Sequence, residues 1–163
     1  MAKVIAKLGD DISTDVIYPG RYMATVLPTE TPQFAFADLA ELNGLLKAKL
    51  APPGSVIVGG KNFGCGSSRE QAASCLKGYD LVIVARGFAR IFLQNAINLG
   101  LSIVTAPDLE AEEGDELEVH SDKVLNRASG KEFAVIPLPA ARQAIIDAGG
   151  LIAYTRQRLM AEA

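Results

Sequence analysis

The apolar positions change period along the chain. "KVIAKLG" (Lys3–Gly9) alternates and reads as a strand. From Asp11 to Tyr22 the Asp, Ser and Thr side chains suit turn hydrogen bonds, and Pro19-Gly20 marks a further turn. Met23–Gln33 carries two prolines and reads as an exposed loop. Phe34–Leu50 is helical in part, weakened at Asn43-Gly44 and stopped by "APPG". Beyond it the apolar runs become short and continuous. "SVIVGG" (Ser55–Gly60), "LVIVAR" (Leu81–Arg86) and "LSIV" (Leu101–Val104) read as buried strands. Between them lie two helical patterns, "REQAASCLKG" (Arg69–Gly78) and "ARIFLQNAINLG" (Ala89–Gly100), each closed by a glycine. Strand, helix, strand, helix, strand implies parallel crossover units. Then "DELEVH", "KVLNRA" and "KEFAVI" predict three short antiparallel strands, and "PAARQAIIDAGG" and "LIAYTRQRLMAEA" predict closing helices. The expected fold is α/β with mixed sheet character, in one domain over residues 1–163.

Composition narrows the function classes. The chain has 163 residues, 49% hydrophobic and 21% charged, which suits a globular protein with a real core. A net charge of -3 provides no basic field for nucleic acid or acidic membranes. No apolar run approaches the roughly 18 residues of a membrane span, and "MAKVIAKLGDD" lacks a signal peptide's apolar stretch. A cytoplasmic location is expected. Two cysteines, Cys65 and Cys75, and one histidine, His120, make a poor metal kit. A cubane iron–sulfur cluster takes about four cysteine ligands, or three with one open iron. The expectation is no cofactor held by this chain.

The candidate chemistry sits in "NFGCGSSRE" (Asn62–Glu70). Ser67-x-x-Glu70 matches a helix capping box, in which each residue's side chain satisfies the other's backbone N–H. The same helix start, with its free N–H groups and partial positive charge, suits a carboxylate or a phosphate. Arg69 adds a planar fork for a carboxylate, and Ser67 and Ser68 add hydroxyls. A nucleotide site is a weaker reading. Gly64-x-Gly66-x-x-Arg69 lacks the third glycine of the dinucleotide fingerprint, and Lys61-Asn62-Phe63 separate it from its strand. Arg86 could mimic an arginine selecting a 2′-phosphate.

Three segments, "NFGCGSSRE", "GFARIFLQNAINLG" and "GDDISTDVIYPGRY", resemble in order and spacing the small subunit of 3-isopropylmalate dehydratase, over about Lys3–Tyr154. That family is the swivelling domain of the aconitase superfamily. The resemblance implies a β/β/α swivelling fold. It also implies a hydro-lyase that works only with a large partner subunit carrying a [4Fe–4S] cluster, on a small dicarboxylic acid. By position, Ser67 resembles the residue whose alkoxide takes the proton from carbon. Ser68 and Arg69 resemble carboxylate ligands, and Asp15 an acidic residue that orients others. Glu70 is expected to cap the helix, and Arg90 and Asn95 to be structural. Gln71 stands where relatives commonly have histidine. The stretch Tyr22-Met23-Ala24-Thr25 corresponds to a loop that sorts substrates in relatives. Tyr22, Ala24 and Thr25 are its candidate contacts, and the loop from Tyr22 to Gln33 is expected to move over substrate. Ala24 cannot pair with a third carboxylate, so an alkyl-bearing malate is expected. Isopropylmalate leads; dimethylmalate or citraconate and methylmalate are alternatives, as is a non-catalytic carboxylate-binding regulatory module.

Overall fold

The structure is a computed structural model describing residues 2–162. Seven strands form one row: β1 (Ala2–Lys7), β2 (Val56–Gly59), β3 (Val82–Ala85), β4 (Ser102–Thr105), β5 (Glu116–Val119), β6 (Lys123–Asn126) and β7 (Glu132–Ala134). Their order is β4-β3-β2-β1-β5-β6-β7. The strands from β4 to β1 run parallel, and β1 to β7 pair antiparallel through β5 and β6. The antiparallel tail expected from the sequence is therefore continuous with the parallel core, and β1 is the joint. Just after β7, Ile136 bridges back to Thr105 of β4, so the row curls on itself and covers part of its own edge.

Among the described residues six α-helices accompany the strands: α1 (Thr14–Ile17), α2 (Ala40–Lys47), α3 (Glu70–Lys77), α4 (Arg90–Leu99), α5 (Ala140–Asp147) and α6 (Leu151–Glu162). The parallel strands are buried on both faces, which explains their unbroken apolar runs. Ile57, Ile83 and Ile103 face the helices, against Ala73, Leu76, Phe92 and Ala96 of α3 and α4. Val56, Val58 and Val84 face the other way, against Leu117, Val124 and Phe133 of the antiparallel strands. The layers are helix, parallel sheet, antiparallel sheet: the β/β/α arrangement. In β1 the register slips between Val4↔Val56 and Ala6↔Ile57. The irregularity lets Val4 serve one core and Ala6 the other, although both have the same parity.

Phe34–Leu50 is helical in part, as expected, over Ala40–Lys47, and the helix runs unbroken through Asn43-Gly44. Phe36 turns to φ +53, its N–H donates to the Ile17 carbonyl at 2.8 Å, and its ring is fully buried, so tertiary burial breaks the helical run. The Met23–Gln33 loop is not wholly exposed, because Thr31 is buried with its hydroxyl 2.9 Å from that of Ser74. The capping box at Ser67 does not form, as the site geometry makes clear. Gly100 closes α4 at φ +76, as expected, and leaves no room for a side chain because Gly149 lies against it.

Candidate active site

Three loops leave the carboxyl ends of β1, β2 and β3 and knit together outside the sheet, where open α/β sheets keep their ligand crevices. The β1 loop and the β2 loop run side by side. Asp11 N–H donates to the Lys61 carbonyl, Gly64 N–H to that of Ile12, and Thr14 N–H to that of Cys65, at 2.7–2.9 Å. The Asp10 carboxylate accepts from Lys61 N–H at 2.7 Å, and Asp11 from the Asn62 amide at 3.0 Å. Phe63 is clasped in turn by the β3 loop, through Gly87 and Ala89. Its ring meets Phe88 and Phe92 edge-on at 5.9 and 5.4 Å. Two glycines make this closeness possible. A Cβ at Gly60 would lie 2.0 Å from Asp10 Oδ1, and one at Gly64, where φ is +86°, 2.2 Å from Phe92 Cγ.

This frame delivers Ser67, Ser68 and Arg69 to the start of α3. The N-cap is Arg69, and its side chain makes no capping bond. Ser67 therefore lies two residues before the cap, outside the first turn, and the Glu70 side chain is exposed rather than folded back. The Ser67 carbonyl accepts from Arg69 N–H at 2.9 Å and from the Thr14 hydroxyl at 2.9 Å. Among the described residues, the backbone N–H groups of Ser67, Ser68, Glu70 and Gln71 find no partner, and neither serine hydroxyl does. The result is a cluster of unspent donors at the positive end of a helix, suited to an anion.

Arg69 is held rather than loose. Its Nη1 donates to Asp15 Oδ1 at 2.7 Å and to the Tyr18 carbonyl at 3.1 Å, and its side chain is only 16% exposed. No other donor of its guanidinium is engaged among the described residues, so the fork keeps an edge for a ligand. Asp15 also accepts from Gly20 N–H at 2.9 Å. The Arg69 hydrogen bond, then that N–H, hold the Asp15 carboxyl below its usual range, so it stays charged at neutral pH. This is not an Asx turn, since its backbone partner lies five residues on.

The Tyr22–Gln33 loop is pinned from below. Buried Tyr18 donates its hydroxyl to the carbonyls of Tyr22 and Thr25, at 2.9 and 3.2 Å. The Tyr22 ring stacks on Phe34 at 4.0 Å with the Arg21 guanidinium over it, which makes Tyr22 an anchor of the loop. Gln71 donates its side-chain amide to the Met23 carbonyl at 3.3 Å, a link between α3 and the loop that the sequence did not reveal. Ala24 is exposed, and Val26 and Leu27 project into solvent. Arg21 is committed to Asp38 by two hydrogen bonds.

Other candidates lie outside this cluster. Arg86 spends two donors on the Leu109 carbonyl, at 3.1 and 2.8 Å, which takes it out of any phosphate-selecting role. His120 sits on the far antiparallel sheet, 3.6 Å from Glu118. Cys75 is fully buried, where desolvation raises its thiol pKa far above the usual range, while Cys65 belongs to the loop zipper. Among the described residues no three His, Cys, Asp or Glu side chains converge. No described helix is long and apolar enough to cross a membrane.

Known proteins are similar to this chain in sequence and in fold. The family model described as the aconitase C-terminal domain matches residues 12–108, which take in the β2 and β3 loops and the β1 loop from Ile12 onward. The chain is 42% identical to the 3-isopropylmalate dehydratase small subunit of Thermodesulfovibrio yellowstonii, over 96% of this chain and 94% of that one. It is 41% identical to the isopropylmalate/citramalate isomerase small subunit of Methanocaldococcus jannaschii, over 94% and 92%. A crystal structure of 3-isopropylmalate dehydratase from the same archaeon superposes with a TM-score of 0.86 at 36% identity, covering 98% of this chain and 95% of that one.

Proposed function

This chain belongs to the family of 3-isopropylmalate dehydratase small subunits, and we propose that the cluster at the start of α3 is its contribution to the active site. The chain is the small subunit of a hydro-lyase that interconverts 2-isopropylmalate and 3-isopropylmalate in leucine biosynthesis. It acts as one swivelling domain, in the cytoplasm, against a large subunit carrying a [4Fe–4S] cluster. That cluster would supply a Lewis acid for the substrate's hydroxyl and carboxylate. The rest is assigned to this chain's own residues.

The observation that carries the reading is the uncapped start of α3, with two free serines beside a restrained arginine. Ser67 takes the proton from the carbon next to the departing hydroxyl. The C–H electron pair becomes the double bond of the unsaturated acid, and the hydroxyl departs with the C–O electron pair as hydroxide, which would become water by taking a proton from an acidic side chain of the large subunit. In the return step Ser67 gives the proton back to the other carbon. A serine is a weak base at its ordinary pKa, so its alkoxide needs positive surroundings. The unpartnered backbone N–H groups and the Arg69 guanidinium have that sign. Ser68 and Arg69 bind a substrate carboxylate. Asp15 orients Arg69 and holds its Nη1, leaving the rest of the fork for that carboxylate.

Ala24 and Thr25 border the substrate's variable group, with Tyr22 anchoring them. Ala24 has no charge for a third carboxylate, and Arg21 is already paired with Asp38. Both features favour an alkyl substituent over the extra carboxylate of citrate or homoaconitate. A second reading, a smaller alkylmalate, is favoured by the relative named for both isopropylmalate and citramalate. One methylene is worth only about 1–3 kcal/mol, so a single pocket can serve both.

The test is anaerobic turnover of this chain mixed with its large subunit. The substrates are isopropylmalate, dimethylmalate, citraconate, homoaconitate and citrate, followed by absorbance of the unsaturated acid. Turnover is expected only in the mixture, best with isopropylmalate, and Ser67→Ala is expected to lower kcat about a thousandfold or more. Full turnover by Ser67→Ala would remove the assigned base. No turnover with any acid, despite an intact complex and cluster, would favour a non-catalytic carboxylate-binding module.

A further inference from the structure

Thr14 lies beneath the serines rather than among them. It is 2% exposed, and its contacts fix it from three directions. Its N–H donates to the Cys65 carbonyl at 2.8 Å, its carbonyl accepts from Tyr18 N–H at 2.8 Å, and its hydroxyl donates to the Ser67 carbonyl at 2.9 Å. The last contact has a geometric consequence. A trans peptide unit is planar, with its C=O and N–H pointing opposite ways. Drawing the Ser67 carbonyl inward onto Thr14 turns the Ser68 N–H outward, on the side where it has no partner. The same plane fixes the backbone from which the Ser67 side chain springs. Arg69 N–H holds this carbonyl too, but that bond lies within the loop itself and moves with it. Thr14 is the tie to a different segment, anchored to the β1 loop.

We propose that Thr14 is a positioning residue for the reaction. Its hydroxyl sets the Ser67–Ser68 peptide so that the Ser68 N–H faces the substrate side and the Ser67 hydroxyl points at the reacting carbon. This rests on the assignment of Ser67 as the base. Without the hydroxyl, the peptide retains its local bond to Arg69 and loses its fixed orientation. Substrate binding through Arg69 is kept, and the proton-transfer step suffers. A misplacement of about 1 Å in such a constellation costs about a hundredfold in rate.

The test compares Thr14→Val, Thr14→Ser and Ser67→Ala in the assembled two-subunit enzyme, with isopropylmalate. Valine keeps the shape and removes the donor; serine keeps the donor and removes the methyl. Thr14→Val is expected to lower kcat about tenfold to a hundredfold with KM within about twofold, and Thr14→Ser to stay within about threefold of the parent. Equal loss in Thr14→Val and Thr14→Ser would overturn the inference, because packing of the methyl would then be the cause. So would an unchanged kcat in Thr14→Val, or a rise in KM alone. If Thr14→Val does not assemble with its partner, Thr14→Ala is read in its place, and failure of both makes the hydroxyl a folding element and overturns the inference. An active Ser67→Ala would instead remove the assigned base itself, whatever Thr14 does.

Discussion

Two helix starts lie side by side in this molecule, and they use serine differently. At α1, Ser13 is the N-cap and its side chain accepts from Val16 N–H at 3.2 Å. At α3, Ser67 and Ser68 precede the helix, the cap position falls to Arg69, and no side chain closes the turn. The two segments even touch, through a bridge between Ser13 and Cys65. A serine cap contributes about 1 kcal/mol. The α1 serine supplies that stabilisation to its own helix; the α3 serines forgo it and keep their hydroxyls free. A helix start left uncapped, in a frame this well bonded, is where a ligand completes the hydrogen bonding.

Three substitutions press on that contrast. Arg69→Lys has the largest expected effect. Lysine keeps the charge but cannot hold Asp15 and Tyr18 with one nitrogen while offering a planar edge to substrate. A fall of roughly thirtyfold in kcat/KM, about 2 kcal/mol, is expected in the assembled enzyme, with most of it in KM. An unchanged KM would place the substrate carboxylate elsewhere. Next is Ser13→Ala, which should destabilise the chain by about 1 kcal/mol in urea unfolding, with an unchanged slope. No loss there would dissolve the distinction between the two starts. The smallest is Glu70→Ala. Because Glu70 is exposed and closes no capping box, its removal should change stability by no more than about 0.5 kcal/mol. A larger loss would mean that the box forms in solution after all.

The same contrast marks what the sequence could reveal. The strand–helix alternation was legible because buried parallel strands and one-sided helices leave unmistakable periods, and the glycines at 78 and 100 punctuate them. Ser-Ser-Arg-Glu was legible as a helix start and, through the family resemblance, as a site. Ser67-x-x-Glu70 also offered a local capping box that the fold declines. Bonds from fifty or more residues away, from Thr14 to the Ser67 carbonyl and from Asp15 to Arg69, override that local pattern. No periodicity encodes such pairings. Thr14 carries no sequence signal for this reason, although it stands between Asp15 and the N-cap Ser13. The link from Gln71 to Met23 and the hydrogen bond of Phe36 N–H to the Ile17 carbonyl are likewise tertiary contacts that no local pattern encodes. The mixed sheet was anticipated, but not that one irregular strand would join its halves.

That strand has a further consequence, in the order of synthesis. β1 is translated before either of its neighbours, yet it lies between them: Val4 pairs with Val56 on one side, and Ala2 with Leu117 on the other. At typical translation speeds, the interval from β1 to β5 is on the order of ten seconds. Through that time the nascent chain carries a parallel half whose β4 and β1 edges are both open, the long-exposed β1 edge being the kind of surface that chaperones shield and that other nascent chains can add to. The segment that later seals this edge also brings the second hydrophobic core. Folding of this protein on the ribosome is therefore gated by the arrival of Glu116–Val119, and a translation pause just upstream of it prolongs the exposure.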